Sequence, residues 1–123
     1  LGTSPDGGLT SSLSRLVGPR RALELILTNR RIDAATALAW GLVNHVVPAA
    51  EVEATALALA ATFEQASAAT TAAVKRLVGE AATASFDAQL DAERASFVGR
   101  AATADFREGI AAFVERRPAR FPG

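Results

Sequence analysis

Apolar residues recur at helical spacing along most of this chain. Leu9, Leu13, Leu16 and Val17 share one side of a short predicted helix from Leu9 to Val17. Gly18 closes it, and Pro19 stands where a first helical residue opens the next. In that second helix Leu23, Ile26 and Leu27 keep the spacing, and Thr28-Asn29 ends the run. Arg30-Arg31-Ile32 reads as a short extended stretch. Asp33 is a good N-cap for a helix from Ala34 to Trp40, which Gly41 is placed to end. Leu42 to Val47 is the best strand candidate, rich in β-branched residues and stopped by Pro48.

Longer helices follow. From Glu51 to about Gln65, Val52, Ala56, Leu59, Ala60 and Phe63 form a continuous stripe. A second long helix runs through Ala73, Val74, Leu77 and Val78 to Gly79, and a third carries Phe86, Leu90 and Phe97. A fourth carries Phe106, Ile110, Phe113 and Val114, with Thr103 as its cap and Pro118 as its stop. Arg116 and Arg117 fall in its last turn, where cations suit the helix dipole. The pattern predicts a mostly α chain with one or two short strands. Its long amphipathic stripes need partners, from this chain or from a neighbouring subunit.

Composition narrows the picture. The 123 residues are 50% hydrophobic and 21% charged, and Ala alone is about a quarter of them, an excess typical of close-packed helices. Thirteen basic residues balance thirteen acidic ones, which argues against a nucleic-acid partner. Without Cys there is no disulfide, no thiol nucleophile and no Cys-ligated metal, and the single His45 cannot build a multi-histidine site. No apolar run approaches the ~20 residues of a membrane span, and no signal peptide opens the chain. These features lead us to expect a soluble, cytoplasmic domain with no membrane partner. With no Met and an opening at Leu1-Gly2-Thr3, the sequence reads as a fragment or a trimmed product.

Candidate chemistry is sparse. Asp6 sits between Pro5 and Gly7-Gly8, in a turn that can project a carboxylate into a cavity, although Pro-Asp-Gly is also simply a good turn. Gly-Gly followed by Thr10-Ser11-Ser12 at a helix start offers amides to an anion, without the spacing of a nucleotide-binding loop. His45, in an apolar segment, reads as structural and Trp40 as a packing residue. The tail Arg116-Arg117-Pro118-Ala119-Arg120 suits either a phosphate or plain solvation.

Several segments together resemble the crotonase, or enoyl-CoA hydratase/isomerase, superfamily. They are Gly2-Thr3-Ser4-Pro5-Asp6-Gly7-Gly8 with Leu13-Ser14-Arg15-Leu16-Val17-Gly18, and Arg21-Ala22-Leu23-Glu24-Leu25-Ile26-Leu27-Thr28. They continue with Trp40 to Pro48, with Lys75 at a late helical lysine, and with Glu108 to Arg117 at the C-terminal signature. The resemblance implies the C-terminal half of a crotonase-like α/β (ββα spiral) fold. Residues 1–64 would end the core and 65–123 would form a helical trimerisation region. It also implies that the oxyanion-hole amides and the two hydration glutamates lie in a half absent from this sequence, so the isolated chain is expected to be inactive.

The implied chemistry is stabilisation of an enolate on an acyl-CoA thioester, without a covalently bound cofactor or a metal, coenzyme A being part of the substrate. Asp6 matches the carboxylate that shuttles a proton in isomerase branches. A related dehalogenase branch uses an Asp in this turn as a nucleophile, and hydration relies on the absent glutamates. An ordinary aspartate is a weak base, so the shuttle role requires a desolvating pocket. Phe113 and Arg116 match positions that reach a neighbouring subunit's coenzyme A, the ring near adenine and the cation near phosphate. Assembly as a homotrimer or a dimer of trimers is implied. The competing reading is a non-catalytic helical oligomerisation or interaction module.

Overall fold

The computed structural model describes residues 2–121. Its elements are α1 (Leu9–Val17), α2 (Pro19–Thr28), α3 (Ala34–Ala39), α4 (Val52–Glu64), α5 (Ala68–Ala81), α6 (Phe86–Ala101) and α7 (Ala104–Glu115). A single 3-10 turn, Ala49–Glu51, leads into α4. The chain divides into two compact units at Val52/Glu53.

Local chemistry accounts for the helix boundaries. Asp33 accepts the Thr36 N–H at 2.7 Å and starts α3, as expected. Ser67, Ser85 and Thr103 do the same for α5, α6 and α7, accepting the amides of Thr70, Ala88 and Phe106 at 3.1, 3.2 and 3.2 Å. Each bond satisfies an amide that the first helical turn leaves without a partner. Between α1 and α2, Gly18 holds φ 81° and ψ 156°, a combination side chains rarely adopt. Pro19 follows it as the first residue of α2. At the far end of α3, Gly41 donates to the Leu38 carbonyl and Leu42 to the Ala37 carbonyl, at 3.0 and 2.9 Å. That paired closure is a Schellman turn.

The strand expected at Leu42–Val47 does not form. No strand occurs among the described residues, and this segment runs as irregular backbone. The Leu42 amide is used in closing α3, and no neighbouring backbone offers a ladder. β-branched residues favour an extended chain, but a strand exists only where another strand takes up its polar groups. The described chain is therefore all-helical.

In the first unit α1 packs on α2, with Val17 and Ala22 as its buried apolar positions. In the second unit α5 packs on α6 and α6 on α7. There the Gln89 amide donates to the Leu77 carbonyl at 3.2 Å, and Ala112 and Ser67 are buried. Ser67 is the most constrained polar residue: its hydroxyl caps α5 and also donates to the Asp105 carboxylate in the first turn of α7. Most large apolar side chains stay open, including Leu27, Phe86, Phe97 and Val114. No described helix is long and apolar enough to cross a membrane.

The double duty of Ser67 makes a direct comparison possible. Ser67→Ala removes a cap and a part-buried bond to α7, and should cost about 2 kcal/mol. Ser85→Ala removes an exposed cap alone and should cost about 1 kcal/mol. Thermal or denaturant unfolding of the two variants should therefore separate them, and equal losses would reduce Ser67 to an ordinary cap.

Candidate functional site

Most of the polar organisation of the second unit gathers on α7 and the residues after it. Thr103 opens the helix, accepting the Phe106 amide while its hydroxyl donates to the Arg100 carbonyl at 2.7 Å. The Phe106 ring meets Phe97 edge to face, with centroids 5.8 Å apart and planes at 89°. Phe106, Ile110, Phe113 and Phe121, with Arg100 and Thr70, line a cavity of about 360 Å³. Phe113 is 83% exposed, so its ring is available to a ligand or a neighbouring surface. Phe121 lies over Gly109, where an added Cβ would stand 3.8 Å from its ring.

The end of α7 differs from the expected one. The helix stops at Glu115, and Arg116 takes left-handed dihedrals, φ 55° and ψ 40°. Arg116 N–H donates to the Phe113 carbonyl at 3.3 Å and Arg117 N–H to the Ala112 carbonyl at 3.0 Å, a second Schellman turn. Arg116 and Arg117 thus lie beyond the last helical turn, and Phe113 and Arg116 do not share a helical face. A side chain in this backbone region costs about 1 kcal/mol or more relative to glycine.

The basic tail is not a free cationic cluster either. Arg117 donates to both Glu108 oxygens, Nη1 to Oε1 at 2.6 Å and Nη2 to Oε2 at 3.0 Å. Its Nε donates to Glu115 at 2.6 Å. The Arg120 amide donates to Glu108 Oε1 at 2.7 Å. The Arg117 guanidinium, and after it the Arg120 amide, hold the Glu108 carboxyl down at about 2, against an ordinary 4.5. The hydrogen bonds to Glu108 and then Glu115 push the Arg117 guanidinium up in turn. Sequence reading missed Glu108, Arg117 and Phe121 as a set. The signals were Gly109 inside an amphipathic helix, which marks a close approach, and the match of Glu108 to Arg117 to the C-terminal signature.

In the first unit Asp6 is exposed on its turn. Its carbonyl accepts the Leu9 amide at 3.2 Å, and Gly7 and Gly8 follow at φ 61° and 81°. Only glycine takes two successive left-handed positions cheaply, so the turn leading into α1 depends on the pair. The amides of Ser11 and Ser12 both donate to the Gly8 carbonyl, at 3.1 and 3.0 Å. Those two amides are spent within the first turn. Two cations lie over Trp40, its ring centroid 4.8 Å from the Arg21 guanidinium carbon and 5.9 Å from that of Arg30. His45 is exposed on the irregular segment, and Lys75 is exposed on α5. Among the described residues no cluster of three metal-ligating side chains occurs.

The family profile described as enoyl-CoA hydratase/isomerase matches residues 1–123. The chain belongs to the enoyl-CoA hydratase/isomerase family. A probable enoyl-CoA hydratase of Mycobacterium bovis is 41% identical over 121 residues, covering 98% of this chain and 47% of that protein. A 1,2-epoxyphenylacetyl-CoA isomerase of Escherichia coli is 35% identical over 125 residues, covering 100% of this chain and 47% of that one. Among solved structures, the enoyl-CoA hydrates subunit I of Geobacillus kaustophilus superposes with a TM-score of 0.94 at 34% identity. That match covers 99% of this chain and 48% of the other. The chain spans about half the length of the curated relatives it matches. As an enoyl-CoA hydratase/isomerase segment, it is helical throughout its described elements and matches about half of a crotonase-fold chain.

The Glu108 cluster yields a pH prediction. Its folded-state pKa lies below the ordinary value, so its ion pair adds stability above pH 4.5, lost as pH falls toward about 2. Thermal unfolding should place the wild type above Glu108→Gln at neutral pH, and the two should converge across that window. A gap that ignores pH would mean that Glu108 contributes through something other than its charge.

Proposed function

We propose that this chain supplies the helical half of an enzyme acting on acyl-CoA thioesters through a stabilised enolate, of the isomerase-like kind. The observation that carries this reading is the Pro5-Asp6-Gly7-Gly8 turn, which presents an exposed carboxylate at the entrance of α1. The Escherichia coli relative named as an isomerase supports the same direction. Isomerisation asks for one carboxylate that takes a proton from one carbon of the acyl chain and returns it at another. Negative charge gathers meanwhile on the thioester oxygen, where two aimed N–H groups lower the barrier. Those donors belong to the half of the family fold not represented here. That half also covers Asp6, giving the desolvation that makes an aspartate a competent base.

Phe113 and Arg116 take the other end of the substrate in this reading. The exposed ring suits a flat base, and the planar cation suits a phosphate. A strained backbone at Arg116 is what a functional position retains, since a glycine there would stabilise the turn. The site is shared between subunits of a homotrimer or a dimer of trimers, built on residues 65–123, and needs no covalent cofactor.

A second reading, a non-catalytic helical interaction module, draws on the open apolar faces of the helices. Substitution in the full-length protein separates the two. Asp6→Asn keeps the turn and should still bind CoA esters, while kcat falls by about two to four orders of magnitude. A rate close to wild type would remove Asp6 as the shuttle. Arg116→Ala should raise KM for a CoA thioester more than it lowers kcat. Arg116→Gly should do the same while stabilising the fold by about 1 kcal/mol. A protein with no turnover and no affinity for coenzyme A, yet intact association, would establish the interaction module.

A further inference from the structure

We propose that Glu108 is the positioning residue of the C-terminal turn, holding Arg116 and Phe121 where the nucleotide end of a coenzyme A thioester binds. The inference rests on the reading that Phe113 and Arg116 meet that nucleotide. It adds a residue that touches no substrate and acts through the turn it braces.

The geometry assigns the bracing to one carboxylate. Both Glu108 oxygens are engaged, Oε1 by Arg117 Nη1 and the Arg120 amide and Oε2 by Arg117 Nη2. The side chain starts on α7 and closes on residues that follow the left-handed turn, so it spans the strained position at Arg116. A fork-to-fork pair is directional as well as strong, and Glu115 takes the remaining Nε edge of Arg117. Arg117 is thereby committed to structure. The guanidiniums of Arg116 and Arg120 enter no salt bridge among the described residues.

The same clasp sets the path of the chain through Pro118 to Phe121. That path brings Phe121 over Gly109 and into the cavity that Phe113 lines. One carboxylate thus fixes both a cation and a second aromatic wall. Without it, the backbone strain at Arg116 is free to relax, and the cation and the ring lose their shared setting.

The test is a titration of the full-length protein with coenzyme A and, in parallel, with pantetheine, which lacks the nucleotide. Glu108→Gln should weaken coenzyme A by about tenfold and leave pantetheine unchanged. In turnover it should raise KM for the CoA thioester, with kcat changed by less than about twofold. In the Arg116→Ala background the same substitution should have a smaller further effect, confined to the placing of Phe121, because the Arg116 contact is already gone. If Glu108→Gln weakens both ligands equally, or weakens neither while Arg116→Ala weakens coenzyme A, the positioning role is overturned and the site reading stands. If Arg116→Ala leaves coenzyme A affinity unchanged, the site reading itself fails, and the positioning role with it.

Discussion

The helices of this chain carry more apolar surface than they can hide. A Leu or Phe side chain gains about 1.5–3 kcal/mol only when it leaves water, yet Phe86, Phe97, Leu27 and Val114 remain open on their helices. The buried apolar positions are small or of modest size: Val17, Ala22 and Ala112. An Ala-rich helix lets backbones approach closely but contributes little area of its own. Everything else about the chain follows from that shortage, because neither unit holds a large core of its own to impose order from within.

Order comes from polar groups at helix ends. Asp33, Ser67, Ser85 and Thr103 each close a first turn, and the left-handed residues Asn29, Gly41 and Arg116 follow the last turns of three helices. Two side chains, Ser67 among these caps and Glu108 within α7, reach further than their own helix. Ser67 ties the start of α5 to the first turn of α7, and Glu108 ties α7 to the segment beyond it. Such bonds are modest singly, but they decide where the open apolar faces point. The large faces are then left for a covering surface, which suits a segment about half the length of its relatives.

The parts of the proposed site differ in how readable their local structure was. Asp6 was legible because a Pro-Asp-Gly-Gly string dictates a turn whatever surrounds it, and the family motif contains it. Phe113 was legible as an apolar position on a periodic helix. The Glu108–Arg117 pair was not, because the partners stand nine positions apart and no helical spacing joins them. Only the left-handed turn at Arg116 folds the chain back far enough for the pair to meet. For the same reason the basic tail looked like a cluster of free cations, whereas its central member is held by two carboxylates.

The sequence by itself determined the helices and most of their boundaries, the ends of α5 and α7 excepted. Leu9–Val17 matches its expected bounds, and Asp33, Thr103 and Gly41 act at the ends assigned to them. These features depend on groups within about four residues of one another, so local composition specifies them. Leu42–Val47 shows the limit: its β-branched residues favour extension, but a strand needs a second strand, and none is present among the described residues. Tertiary structure alone decided the Ser67–Asp105 bond, the Glu108 clasp and the seat of Phe121 over Gly109. Each joins residues whose meeting depends on how the backbone turns between them, and sequence spacing does not record that path.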